Sequence, residues 1–87
     1  MPMNKFKVGD RVKYVHFVPN WDGTMPEEQT GTITRVIPIG DLLCESLGVP
    51  YYNQTGAIQY GVKLDKPICG KYYDAHWGEN HIELINA

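Results

Sequence analysis

One segment constrains the fold more than any other. From Ile58 to Asp65 the chain alternates strictly: Ile58, Tyr60, Val62 and Leu64 are apolar, while Gln59, Gly61, Lys63 and Asp65 are polar or lack a side chain. A two-residue period sends successive side chains to opposite faces. Such a segment reads as an antiparallel strand with one face buried and one in water. Lys66-Pro67 is expected to end it.

The rest of the sequence fits the same class. Lys7-Val8-Gly9-Asp10 reads as a turn, followed by a strand that reaches Val18 and stops at Pro19. Val12, Tyr14, His16 and Val18 fall on one face of that strand; Arg11, Lys13, Val15 and Phe17 fall on the other. A second strand is predicted from Gly31 to Ile37. Its apolar residues Ile33, Val36 and Ile37 break the alternation, which a bulge near Arg35 would reconcile. A fourth strand is expected from Lys71 to Trp77, a turn at Gly78-Glu79-Asn80, and a closing strand from His81 to Ile85. Nine Gly and six Pro among 87 residues leave little room for long helices.

Two stretches lie outside this scheme. Residues 19–30 read as a loop punctuated by Asn20, Asp22-Gly23 and Pro26. Residues 39–56 read as a long insertion. Asp41 to Gly48 predicts one or two helical turns, with Asp41 as N-cap and Gly48 as stop. Val49 to Tyr52 reads as extended, and Asn53 to Gly56 as a turn.

The expectation is therefore an all-β chain, a single domain over residues 1–87, with five strands closed into a small barrel. Closure buries one face and removes most of the exposed edge. The expected core is Val8, Val12, Tyr14, Ile33, Val36, Ile58, Tyr60, Val62, Leu64, Ile82 and Leu84.

Phe6-Lys7-Val8-Gly9-Asp10-Arg11-Val12, Gly31-Thr32-Ile33, Tyr60-Gly61-Val62-Lys63-Leu64-Asp65 and Glu83-Leu84 together resemble the SH3-like small barrels. In style they are similar to KOW and Tudor-type modules and to short phage or bacterial accessory proteins of unassigned function. The resemblance implies an SH3-like barrel with long loops. Tyr60 to Pro67 followed by Gly70-Lys71 also resembles part of a CAP-Gly domain, whose Gly-Lys-Asn-Asp-Gly loop binds acidic peptide tails. Here Tyr72-Tyr73 follows instead. The plasmid-encoded type of dihydrofolate reductase shares the barrel, but Ile58-Gln59-Tyr60 departs from its Val-Gln-Ile-Tyr strand. A small oligomeric enzyme of that architecture is the remotest alternative.

Chemistry-bearing patterns are sparse. Cys44, Cys69, His76 and His81 contain a His-x₄-His spacing, but the two cysteines lack the close spacing of a zinc site. Two thiols without a secretory leader read as reduced. No nucleophile elbow, phosphate loop or carboxylate pair stands out. The expectation is a non-catalytic chain without metal or cofactor. Nothing resembles a signal peptide or a membrane span, so a cytoplasmic location is expected.

Binding surfaces remain. The formal charge is −2, and it is segregated. Residues 1–18 carry Lys5, Lys7, Arg11 and Lys13 against Asp10; residues 19–30 carry Asp22, Glu27 and Glu28 with no cation. Trp21, Tyr51, Tyr52, Tyr72, Tyr73 and Trp77 sit in or beside loops. Aromatics of this kind anchor protein interfaces. The favoured expectation is a protein partner met by these six rings. A methyl-lysine cage would require Trp21, Tyr51, Tyr72 and Trp77 to converge. The alternative is a KOW-like nucleic-acid binder using Lys5, Lys7, Arg11, Lys13 and Arg35, opposed by the acidic 19–30 loop.

Overall fold

The structure is a computed structural model and describes residues 5–16, 18–68 and 70–85. It is all-β. The strands are β1 (Arg11–Tyr14), β2 (Thr30–Ile37), β3 (Leu42–Ser46), β4 (Val49–Tyr52), β5 (Gln59–Ile68), β6 (Tyr72–Gly78) and β7 (Ile82–Leu84). A single turn of 3-10 helix, Glu79–His81, leads into β7.

Among the described residues seven strands replace the five expected, and they do not close into a barrel. Five form an open antiparallel sheet in the order β6-β5-β2-β1-β7, and β3 and β4 form a separate hairpin. The hairpin overturns the helical turns expected over 41–48. Leu47 (φ 53) and Gly48 (φ 78) both adopt left-handed backbone and join Ser46 to its partner Val49. Two consecutive left-handed residues are the mark of the tight two-residue hairpin turn, which matches the twist of paired strands. Gly48 thus makes a turn rather than a helix stop.

Other boundaries shift too. The first strand ends at Tyr14 rather than Val18. Phe17 and Cys69 lie outside the described residues. β5 runs past Leu64 through Pro67, with a register break between Lys63 and Ile68. That break accommodates a proline in the strand.

The bulge expected near Arg35 is present. Ile33 pairs with Val62 and Arg35 pairs with Gly61, so Thr34 is the extra residue. It restores the phase: Ile33 and Val36 face inward beside Val62 and Tyr60, and Arg35 faces outward.

The core consists of Phe6, Val12, Ile33, Tyr60, Val62, Leu64, Trp77 and Ile82, with Tyr14, Val36, Ile58 and Ala75 packed against it. Val8 and Leu84, expected inside, are exposed. Phe6 and Trp77 supply what they do not. The Phe6 ring meets Tyr60 edge-on at 5.4 Å, an arrangement favoured by ring electrostatics. Ile37 is also fully buried, but the register places it on the opposite face from Tyr60. Gly31 permits the close approach of β2 to β5. A Cβ there would lie 2.5 Å from both the Lys63 carbonyl oxygen and Val62 Cγ1.

Candidate interaction surface

The insertion between β2 and β5 is rooted firmly. Asn53 is fully buried. Its Nδ2 donates to the carbonyls of Ile37 (3.0 Å) and Ala57 (2.8 Å). Its Oδ1 accepts from the Thr55 amide (3.2 Å) and hydroxyl (2.7 Å). Its backbone exchanges bonds with Gly40 and Asp41: Asn53 N–H donates to Asp41 O at 2.7 Å, and Gly40 N–H donates to Asn53 O at 2.8 Å. One residue thus ties the end of the insertion to the end of β2 through its side chain and to the start of the insertion through its backbone.

Arg35 makes the second attachment. Its guanidinium donates to the carbonyls of Leu43 (2.9 Å) and Leu42 (2.6 Å). These charge-assisted bonds hold β3 beside the outer face of the sheet. A groove of about 340 Å³ lies between Leu43 and Cys44 on one side and Asp74, Ala75 and His76 on the other.

Beyond those attachments the hairpin exposes its apolar residues. Leu42, Val49, Tyr51 and Tyr52 are all exposed, and Leu47 at the tip is 100% exposed. Leu47 carries an additional cost, because left-handed backbone at a residue with a Cβ costs about 1–2 kcal/mol. A two-stranded hairpin in water is marginal by itself. Here it is pinned at its base and left uncovered at its end.

Trp21 is the second prominent feature, 98% exposed. Its loop is ordered by short-range bonds. The Thr24 amide and hydroxyl both donate to Asp22 Oδ1, at 3.0 and 2.7 Å. Asn20 N–H donates to the Thr24 carbonyl, and Gly23 N–H to the Asn20 carbonyl, each at 2.8 Å. The bonds from Thr24 hold the Asp22 carboxyl below its ordinary range.

The other ring residues divide. Tyr72 and Tyr73 are exposed, with the Lys71 ammonium 5.2 Å from the Tyr72 ring centre. Trp77 corrects the sequence reading: it is 7% exposed and packs against Tyr14 at 5.3 Å, so it belongs to the core. Among the described residues, the ring contacts join Phe6 to Tyr60 and link Tyr14, His16, Trp77 and His81. No cage of Trp21, Tyr51, Tyr72 and Trp77 forms among them.

The basic residues are largely engaged within the chain. Arg11 Nη1 donates to Asp65 Oδ1 (2.8 Å) and Thr32 Oγ1 (2.9 Å), and Arg11 Nη2 to Asp65 Oδ2 (2.5 Å). Thr30 Oγ1 donates to the same Asp65 Oδ2. The Arg11 and Thr30 bonds depress the Asp65 carboxyl to about 2. Lys7 pairs with Asp10 at 3.4 Å. Arg35 is committed to the hairpin. Lys5 is exposed and Lys13 half-buried.

His81 stacks on His16, centroids 4.4 Å apart. Among the described residues no group of three or more His, Cys, Asp or Glu side chains is placed to hold a metal ion. Cys44 is exposed with a free thiol. No described helix is long and apolar enough to cross a membrane.

Tyr51, Tyr52 and Trp21, singled out in the sequence, are exposed; Leu47, Asn53 and the attachment made by Arg35 are not singled out there. Leu47-Gly48 is not one of the dipeptides that mark a two-residue hairpin, so the sequence carries only the glycine as a signal. Compared with known proteins, the chain matches no family model, no curated protein and no solved structure.

Proposed function

We propose that this chain is a non-catalytic protein-interaction module that inserts the tip of the β3–β4 hairpin into an apolar cleft of its partner. The observation that carries the reading is Leu47: a leucine in left-handed backbone, fully exposed, at the end of an arm whose base is fastened by Asn53 and Arg35. Backbone strain that the rest of a fold must over-determine is a pointer to function. Both faces of the arm behind that tip carry exposed apolar residues, Val49 and Tyr51 on one and Leu42 with Tyr52 on the other, and Trp21 offers a second anchor on an ordered loop. Preorganised anchors of this kind bind without the entropic cost of ordering a flexible segment.

The SH3-like resemblance belongs to the same proposal. An order that places the first strand between β2 and the last strand suits a small scaffold whose loops do the binding. The nucleic-acid alternative is disfavoured by the internal use of Arg11, Lys7 and Arg35 and by the acidic residues Glu27 and Glu28 beside Asp65.

The experiment is capture of partners from host lysate with and without nuclease, using wild type and Leu47→Asn. A protein retained after nuclease and lost with Leu47→Asn supports the reading. Retention that depends on nucleic acid, or is indifferent to Leu47, overturns it.

A further inference from the structure

β6 forms one outer edge of the five-stranded sheet. Edge strands usually carry a lysine, a proline or a bulge that discourages further pairing. Tyr72-Tyr73-Asp74-Ala75-His76-Trp77-Gly78 contains no lysine or proline, and its register with β5 is unbroken from Gly78 to Asp74. The opposite edge, β7, is only three residues long.

The ladder shows which backbone groups of β6 are free. Glu79 N–H donates to the Ile58 carbonyl. In an antiparallel ladder the bonded pairs alternate, so Tyr60 with Trp77 and Val62 with Ala75 are the bonded pairs that follow. The N–H and C=O groups of Asp74 and His76 therefore point away from β5. Their side chains are exposed, on the face opposite the core.

We infer that β6 pairs antiparallel with β6 of a second copy of this chain, about a two-fold axis at Ala75. The argument is self-complementarity. With the axis at Asp74, two like carboxylates would face each other; with the axis at His76, two imidazoles would. With the axis at Ala75, Asp74 faces the partner's His76 on both sides of the axis. Asp74 and His76 are also the residues with free backbone groups, so each pair exchanges two main-chain bonds as well as a carboxylate–imidazole contact. Ala75 meets its own counterpart at a non-bonded position, where the two backbones approach most closely and a small side chain fits. On the inner face, Tyr73 lies opposite the partner's Trp77, an aromatic cross-strand pair. Two five-stranded sheets would become one of ten strands, with both β6 edges paired. The interface is isologous, as closed two-fold dimers require.

The test combines sedimentation equilibrium over a concentration series with amide exchange at low and high concentration. The wild type should dimerise, and the Asp74 and His76 amides should gain protection as concentration rises. The Tyr73, Ala75 and Trp77 amides already face β5 and should change less. His76→Asp and Asp74→His each replace the complementary pairs by like groups and should weaken the dimer about tenfold or more. The exchange variant Asp74→His with His76→Asp recreates the pairs in mirrored order and should recover affinity to within about threefold. A chain that stays monomeric overturns the proposal, including one whose β6 amides are protected only by an added foreign peptide. So does a dimer in which the Asp74 and His76 amides are unchanged, or one that the exchange variant fails to restore.

Discussion

Arg11 and Asp65, 54 residues apart in sequence, form a two-pronged ion pair between β1 and β5 across the outer face of β2. Thr30 and Thr32 of the intervening strand bond to its two partners. The pair joins three strands on the face of the sheet opposite the main core.

The acid limb of stability should report this pair. The Asp65 carboxyl is lowered to about 2 by bonds from Arg11 and then Thr30. A depressed acid contributes stability that is present above its unfolded value, near 4, and lost as pH falls through its folded value. Both side chains are over a third exposed, so the contribution is about 1 kcal/mol or less. Asp65→Asn should therefore lower stability slightly at pH 7 and flatten its decline between about pH 4 and 2. Denaturant melts across that range check both effects. An unchanged acid limb would remove the pair from the account.

Tyr60 should titrate late. Its phenol is pushed up to about 12, first by burial and then by its 2.7 Å hydrogen bond to Glu79. A raised acid pKa means the folded state holds the neutral form, so this stability is complete below the unfolded value near 10 and is lost as pH rises through about 12. Tyr60→Phe leaves Glu79 with only the longer bond from the Lys5 amide and the Phe6 amide without its acceptor, and should cost about 1–3 kcal/mol. Ultraviolet titration of both proteins should show the highest tyrosine transition only in the wild type.

Leu47→Asn should separate stability from binding. Asparagine tolerates left-handed backbone better than leucine, so the variant should be more stable by about 0.5–1 kcal/mol. It should nevertheless bind the partner more weakly, because the apolar tip is gone. Thermal melts and partner capture on the same preparation check the opposite signs. A loss of stability would mean that the turn is not what limits the hairpin.

Asn53→Ala should loosen the arm without unfolding the sheet. It strips donors from the Ile37 and Ala57 carbonyls, at a cost of about 2–4 kcal/mol. Amide exchange should accelerate through residues 40–55 more than in β1 or β5. Uniform acceleration would show that the arm and the sheet open together.

Gly31→Ala should be among the most damaging small changes. Its new methyl group meets a backbone oxygen at 2.5 Å, and backbone cannot swing aside as a side chain can. A loss of about 2–3 kcal/mol in denaturant unfolding is expected from such overpacking.

The sheet was legible where pattern and burial coincide. The alternation of Ile58 to Leu64 maps onto β5, and the broken phase at Ile33-Val36-Ile37 maps onto the bulge. Val8 and Leu84 are exposed for separate reasons: Val8 sits in the turn before β1, and Leu84 ends the three-residue edge strand β7. The sequence predicts helix over the hairpin because Asp41 and Gly48 imitate caps, while the deciding fact, left-handed backbone at Leu47, is not a preference of leucine. Trp21 and the tyrosines of β4 were visible as exposed rings. The burial of Trp77 was not, since it depends on Tyr14 arriving from another strand. The basic stripe was legible as charge but not as pairing, because Asp65 is 54 positions from Arg11.

The extra residue in β2 has a consequence for how the arm is aimed. Removing Thr34 would leave every other ladder partner of β2 in place: Ile33 would still meet Val62, and Arg35 would still meet Gly61. What would change is the local twist that a bulge adds to its strand. Arg35 follows immediately and grips the hairpin carbonyls, so that twist sets the bearing of the arm. Attachment and direction are thus written in adjacent residues, and a one-codon deletion could redirect the hairpin while leaving its anchors intact.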